Sequence, residues 1–241
     1  MTEYRIENKY IVYEDDIAFI KSRLAGLMQP DAHNMEGTYL VRSLYFDDMD
    51  DSAYFQNEAG VDNRSKIRLR SYDNDDSYMI LEEKIKKSGF TKKDSTKIDR
   101  ETAENLVKCR DLYASLRASV AIKNKEDFLF KKLYCNMNTM LVHPTVIVEY
   151  ERYAFIERAG NVRITFDMNI GAGGRTDRFF EENILAIPVM EQGAHIMEIK
   201  YDELLPDHIK KAIDLGRLKK LSFSKYYYAR NALSAYAGSL L

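Results

Sequence analysis

Apolar and polar side chains alternate along residues 4–13 (YRIENKYIVY), the two-residue period of a half-buried strand. Asp15 and Asp16 then offer helix N-caps, and Ile17, Ile20, Leu24 and Leu27 recur at helical spacing until Pro30 stops the run. Residues 38–46 (TYLVRSLYF) are rich in β-branched and aromatic types and predict a strand, and 52–59 predict a short helix closed by Gly60. Three strands follow at 65–72, 78–86 and 90–98. The turn DNDDS separates the first two, and Lys87-Ser88-Gly89 is a hairpin signal between the second two. Residues 100–140 read as mostly helical, with a weak break near Asn124. Strands return at 145–155 and 162–168 around the turn Gly160-Asn161, the glycine cluster at 171–174 predicts a loop, and 195–201 predicts another strand. A helix over 207–215 has Asp207 at its start and Gly216 beyond its end, and the segment from Ser224 onward is helical. About eight strands with interposed helices fit one α+β domain over 1–241, with a helical insertion at about 100–140 and a closed barrel as one arrangement of the strands.

Composition narrows the class. At 45% hydrophobic residues the chain can bury a full core without metal or disulfide staples. Its 36 Lys+Arg stand against 38 Asp+Glu, so a uniformly basic nucleic-acid binder is excluded. Cys109 and Cys135 make neither a disulfide framework nor a metal motif, and their helical positions predict buried thiols. His33, His143, His195 and His208 are scattered without ligand spacing. The opening MTEYRIENKYIV is charged throughout and no apolar run approaches a membrane span, so the expectation is a cytoplasmic protein with no membrane segment in this chain.

Charge enters through its placement on the strands. Lys66, Arg68 and Arg70 share one face of their strand, with Ile67 and Leu69 on the other. Arg163 and Asp167 oppose Val162, Ile164 and Phe166, and Glu198 and Lys200 oppose Met197 and Ile199. Arg5, Glu7 and Lys9 line one side of the first strand, Lys84 and Lys86 sit with Glu82, and Arg152 lies two residues after Tyr150. These faces carry ten cations and four carboxylates on a chain of net charge −2, so basic charge is concentrated there. On any single strand this is the pattern of a solvated face. Repeated on five or six strands of a closed sheet, it points charge inward. Two like charges 4 Å apart cost about 4 kcal/mol at an effective dielectric of about 20, so such an interior needs water or a polyanion. Arginine forks and lysine point charges suit phosphate, and a glutamate among them suits Mg²⁺ or Mn²⁺ bridging phosphates.

With these residues in view the chain resembles the VTC domain, the polyphosphate-polymerase branch of the triphosphate tunnel metalloenzyme (CYTH) superfamily. The resemblance rests on an ordered set. It begins with R-x-E-x-K at Arg5–Lys9, SLYFDD at 43–48, R-L-R at Arg68–Arg70, EEK ending at Lys84, and Lys97. It continues through EYER at 149–152, VRITFD at 162–167, MEIK at 197–200 and SFSKY at 222–226. The resemblance implies an antiparallel closed β-barrel of about eight strands forming a triphosphate tunnel, with helices packed outside. It further implies transfer of the γ-phosphoryl group of ATP to a growing polyphosphate chain with Mn²⁺ or Mg²⁺. Matched position by position, Lys9, Arg68, Arg70, Lys84, Lys97, Arg152 and Arg163 fall on the family's phosphate-binding basic residues. The resemblance further implies that Tyr150, Ser224 and Lys225 contact substrate and that Glu198 holds the metal; Lys86 and Lys200 join them as candidate substrate contacts and Glu7 as a candidate metal ligand. Three positions depart: Arg5 replaces a carboxylate, Lys86 a histidine and Ser222 a lysine, with Lys219 and Lys220 just upstream.

The expected function is therefore a polyphosphate polymerase-like phosphotransferase acting on ATP, triphosphate or polyphosphate. A triphosphatase using water as nucleophile and a non-catalytic polyphosphate or nucleotide binder are the alternatives. Nucleic acid is not expected as a partner, because no aromatic stacking motif interleaves the basic faces. A membrane-protein partner is compatible with the resemblance. The run Tyr226-Tyr227-Tyr228 reads as helix packing.

Overall fold

Eight strands stand where the alternation predicts them, in a computed structural model that describes residues 5–34, 37–88, 90–108 and 128–239. They are β1 (Ile6–Tyr13), β3 (Tyr39–Asp47), β4 (Arg64–Tyr72), β5 (Asp75–Lys87), β6 (Phe90–Ile98), β7 (His143–Glu157), β8 (Val162–Gly173) and β10 (Ala194–Tyr201). Three two-residue strands join them: β2 (Gln29–Pro30), β9 (Ile187–Pro188) and β11 (Lys219–Lys220). The helices are α1 (Glu14–Leu24), α2 (Ser52–Glu58), α3 (Arg100–Lys108), α4 (Phe128–Thr139), α5 (Asp207–Ile213) and α6 (Lys225–Gly238).

The closed barrel is not formed. The hydrogen-bonded order is β11-β1-β10-β8-β7-β3-β4-β5-β6, with β2 on β7 and β9 on β8, and it has two ends rather than a ring. Both ends are built to stay unpaired. Strand β11 is only Lys219–Lys220, and β6 (FTKKDSTKI) is polar and lysine-rich. A short edge and lysines on an edge both discourage further pairing.

The chain divides into two compact units: residues 1–40, 150–171 and 188–224, and residues 41–149, 172–187 and 225–241. In the first, the apolar faces of β1 (Tyr10, Val12), β8 (Val162, Ile164, Phe166) and β10 (Met197, Ile199) bury α1 and α5 through Ile17, Ile20, Leu24, Ile209 and Ile213. Each such aliphatic side chain contributes about 1.5–3 kcal/mol on leaving water. The start of α1 differs from expectation. Asp15 and Asp16 lie inside the helix, and Asp16 reaches back to accept the Tyr13 backbone N–H at 3.0 Å.

In the second unit, Leu44, Phe46, Ile67, Leu69, Met79, Leu81 and Ile98 pack against α3 and α4. A buried carboxylate shares this apolar side: Glu83 is bonded by Lys132 at 2.7 and 2.9 Å and by Ser65 at 2.6 Å. The expected loop at 171–174 is instead the end of β8, which runs to Gly173. A Cβ there would stand 3.3 Å from Ile184 Cδ1 and 3.5 Å from Ile147 Cβ, so the glycine permits a close approach of strand and loop. Cys135 is exposed, not buried, on the outer face of α4, whereas Cys109 and the Asn124 break lie outside the described residues.

A single carboxylate fastens α6 to β3 and α2. Asp47 accepts the backbone N–H groups of Asp48 (3.0 Å), Ala53 (2.9 Å) and Tyr54 (3.0 Å), which caps α2, and it accepts the buried Tyr226 hydroxyl. Arg230 adds two bonds to Asp51, at 2.7 and 2.8 Å. The tyrosine run thus does pack, through Tyr226 against Tyr45 with ring centroids 5.3 Å apart.

Candidate functional site

The period-2 alternation that buries the apolar faces sets the charged residues together on the other side, once in each unit. In the first unit, β10 is flanked by β1 and β8, with Lys9 opposite Glu198, Glu7 opposite Lys200, Thr165 opposite Glu198 and Arg163 opposite Lys200. Lys200 Nζ lies 2.9 Å from Glu198 and 4.0 Å from Glu7. Lys9 Nζ lies 3.2 Å from Glu7 and donates to the Phe223 carbonyl at 2.7 Å. Burial works against the Lys9 ammonium, but Glu198 and Glu7 outweigh it and raise its pKa. Arg152 grips Asp167 with both arms of its guanidinium, at 2.6 and 2.9 Å, and donates to the Tyr150 hydroxyl at 3.2 Å. Arg163 pairs with buried Asp31 at 2.6 Å and donates to the Tyr39 hydroxyl at 3.2 Å.

The second unit is more strongly basic. Across β4, β5 and β6 the register sets Arg68 opposite Glu82, Lys66 opposite Lys84, Arg64 opposite Lys86, Lys84 opposite Lys93 and Ile80 opposite Lys97. On the paired stretch 64–70, 80–86 and 91–97, Glu82 is the one carboxylate on this face. It is 2% exposed and receives Arg68 at 2.8 Å, Arg70 at 3.5 Å and Lys93 at 2.9 Å. Burial alone would raise its carboxyl, yet the three cations hold it well below the usual carboxylate range. Tyr45 lies beneath them and accepts from Arg68 at 3.2 Å. Burial pushes this phenol up, but Arg68 and Arg70, with Lys225, carry it below its ordinary pKa. Lys66 donates to Asn57 at 2.5 Å and stands over the Tyr226 ring.

These faces are not wholly the solvated surfaces that single strands suggest: Arg70, Glu82, Arg152, Asp167 and Glu198 are buried, whereas Lys93 and Lys97 are exposed. The structure gathers Lys9, Glu7, Glu198, Lys200, Arg152, Tyr150 and Arg163 in one unit. It gathers Arg68, Arg70, Lys84, Lys86, Lys97 and Lys225 in the other. Ser224 immediately precedes α6. Arg5 does not join the glutamates: its guanidinium turns to Asp202 at 3.2 Å and to the Asn161 carbonyl. Lys219 and Lys220 pair with Ile11 and Tyr10 on the edge of β1. Lys93, Thr165, Tyr39 and Tyr45 are absent from the set the sequence singles out, although period 2 counted back from Lys97 places Lys93 on its face.

The fit to a divalent cation is specific in kind. Among the described residues no group of three His, Cys, Asp or Glu is placed to hold a metal. Glu7 and Glu198 share the ammonium of Lys200, within 4.0 and 2.9 Å. Two carboxylates suit an ion that takes its remaining ligands from phosphate and water, as Mg²⁺ commonly does.

Among solved structures, a candidate adenylate cyclase from Bacillus halodurans is 12% identical, with 93% of this chain and 96% of that chain covered and a TM-score of 0.53, which shows a shared fold. A protein from Pyrococcus horikoshii is 11% identical over 97% of this chain and 99% of its own, with a TM-score of 0.47. No curated protein matches the sequence. No helix among the described residues is long and apolar enough to cross a membrane. The paired charged faces, built on the motifs that run in order from Lys9 to Lys225, agree with the match of the VTC domain model to residues 4–234, and the chain belongs to the VTC domain family.

Proposed function

We propose that the protein is a phosphotransferase that moves the γ-phosphoryl group of ATP onto a growing polyphosphate chain. The observation that carries this reading is the β4–β6 face, where over the paired stretch eight cations (Arg64, Lys66, Arg68, Arg70, Lys84, Lys86, Lys93 and Lys97) share a strand surface with the single carboxylate Glu82. A face so biased and so poorly hydrated at its arginines favours a polyanion. Membership of the VTC domain family supports the same substrate class.

In the reaction, a terminal phosphate oxygen of the chain attacks the γ-phosphorus in line. The bond to the β,γ-bridging oxygen breaks and ADP leaves with that oxygen. The protein needs no covalent step, so catalysis is positioning and charge stabilisation. In the first unit Arg152 and Arg163 are the triphosphate contacts and Lys9 neutralises charge; in the second Arg68 and Arg70 are the triphosphate contacts and Lys84 and Lys97 neutralise charge. Tyr150, Lys200 and Ser224 add contacts in the first unit, and Lys86 and Lys225 in the second. Glu7 and Glu198 would hold Mn²⁺ or Mg²⁺, which supplies charge neutralisation between neighbouring phosphates.

Incubation with ATP and Mn²⁺, with the products run on a polyphosphate gel beside a free-phosphate assay, tests the reading. A ladder of chains is expected, and Glu198→Gln is expected to reduce it at least tenfold. Free phosphate without chains moves the protein to the triphosphatases, and neither product leaves a binder. Tripolyphosphate is also expected to raise the melting temperature by mass action, with the gain shrinking in high salt. No shift at millimolar tripolyphosphate overturns the proposal.

A further inference from the structure

Thr165 stands on β8 between Arg163 and Asp167, directly opposite Glu198. Alternation puts its side chain away from Ile164 and Phe166, which are in the apolar core, and on the side of the charged residues. It is 4% exposed, and its hydroxyl has no hydrogen-bond partner among the described residues. Two other buried side-chain atoms among the described residues lack a hydrogen bond, Arg5 Nε and Asp31 Oδ2, but each sits in an ion pair, at 3.2 and 2.6 Å. Thr165 Oγ1 has neither.

A buried hydroxyl left unsatisfied costs free energy that a valine of nearly the same shape would not. On the opposite, core face of β8 the positions are Val162, Ile164 and Phe166, so the strand carries apolar residues where packing alone decides. Hydroxyls are small, neutral donors, and they supplement arginine and lysine where an anion must be fixed in orientation as well as neutralised. We infer that Thr165 is a further substrate contact, whose hydroxyl donates to a phosphate oxygen bound between Arg163 and the Lys9–Lys200–Glu198 group. This rests on the reading of the face as a phosphate site and adds a residue that orients the chain rather than one that attracts it.

The test measures the affinity of inorganic tripolyphosphate by calorimetry, and the melting temperature without ligand, for wild type, Thr165→Val and Thr165→Ser. Thr165→Val is expected to weaken binding about tenfold, the equivalent of about 1.4 kcal/mol, with an unliganded melting temperature equal to or above wild type. Thr165→Ser is expected to bind within about threefold of wild type. Equal affinity of the valine variant and wild type overturns the inference. So does a valine variant that melts earlier yet binds normally, which marks a hydroxyl satisfied by ordered water. Thr165→Ala gives the same affinity comparison if the valine variant does not fold. Wild type that fails to bind tripolyphosphate removes the phosphate site itself, a result distinct from a valine variant that binds as well as wild type.

Discussion

Replacement of Arg152 by alanine is expected to cost about 3–5 kcal/mol of stability, the price of removing one member of a buried ion pair. Asp167 is 0% exposed and receives two bonds from the guanidinium, at 2.6 and 2.9 Å. Alanine deletes both bonds and leaves the carboxylate in a medium that solvates it poorly. The pair itself is a weaker source of stability than this loss implies, because ionising both groups in the interior already carries a desolvation cost. The double variant Arg152→Met/Asp167→Leu is therefore expected to recover much of the deficit while losing tripolyphosphate binding. Urea denaturation of the single and double variants decides it. A single variant within about 1 kcal/mol of wild type contradicts the assignment of Arg152 to a buried pair.

Glu82→Gln is expected to separate stability from binding in the opposite sense. The carboxylate is a resident counter-anion for Arg68, Arg70 and Lys93. Its neutralisation leaves those cations facing one another, so the unliganded protein should lose about 3 kcal/mol, or roughly 6–12 °C in melting temperature. Tripolyphosphate then fills the same electrostatic role, and the gain it gives the variant should exceed the gain it gives wild type. A smaller gain than wild type contradicts the proposal. The acid limb carries a second signature. Glu82 is held below the usual carboxylate range in the folded state, so its stabilisation is fully present above the unfolded-state pKa of about 4.3 and is lost as pH falls towards the folded value. Thermal denaturation between pH 7 and pH 3 should therefore fall less steeply for Glu82→Gln than for wild type.

What could be read from the chain, and what could not, follows from the range of each interaction. Strand faces are local: Arg68 and Arg70 against Ile67 and Leu69 need only the two-residue period, and the structure keeps them so. The neighbours across a hairpin are nearly as accessible, which is why Lys93 was recoverable from Lys97 and the Lys87-Ser88 turn. Closure of the sheet was not, because it depends on whether two strands far apart in sequence meet, and the polar β6 and the two-residue β11 do not. The identity of partners was also hidden. Glu82 could have faced any cation, whereas the fold gives it three. Thr165 falls inside VRITFD, but nothing in its spacing singles it out, and its interest arises only from a hydroxyl that burial deprives of water.

The Asp47–Tyr226 bond joins residues 179 positions apart. Until α6 has left the ribosome, the β3–α2 junction has its backbone bonds but lacks the phenol that completes its carboxylate's coordination. Vectorial synthesis thus leaves the second unit with an unfinished seam for most of its translation, and Tyr45 without the ring that covers it. Truncations or fusions that delay α6 should consequently show their defect as chaperone dependence and poor yield, before any loss of chemistry is measured.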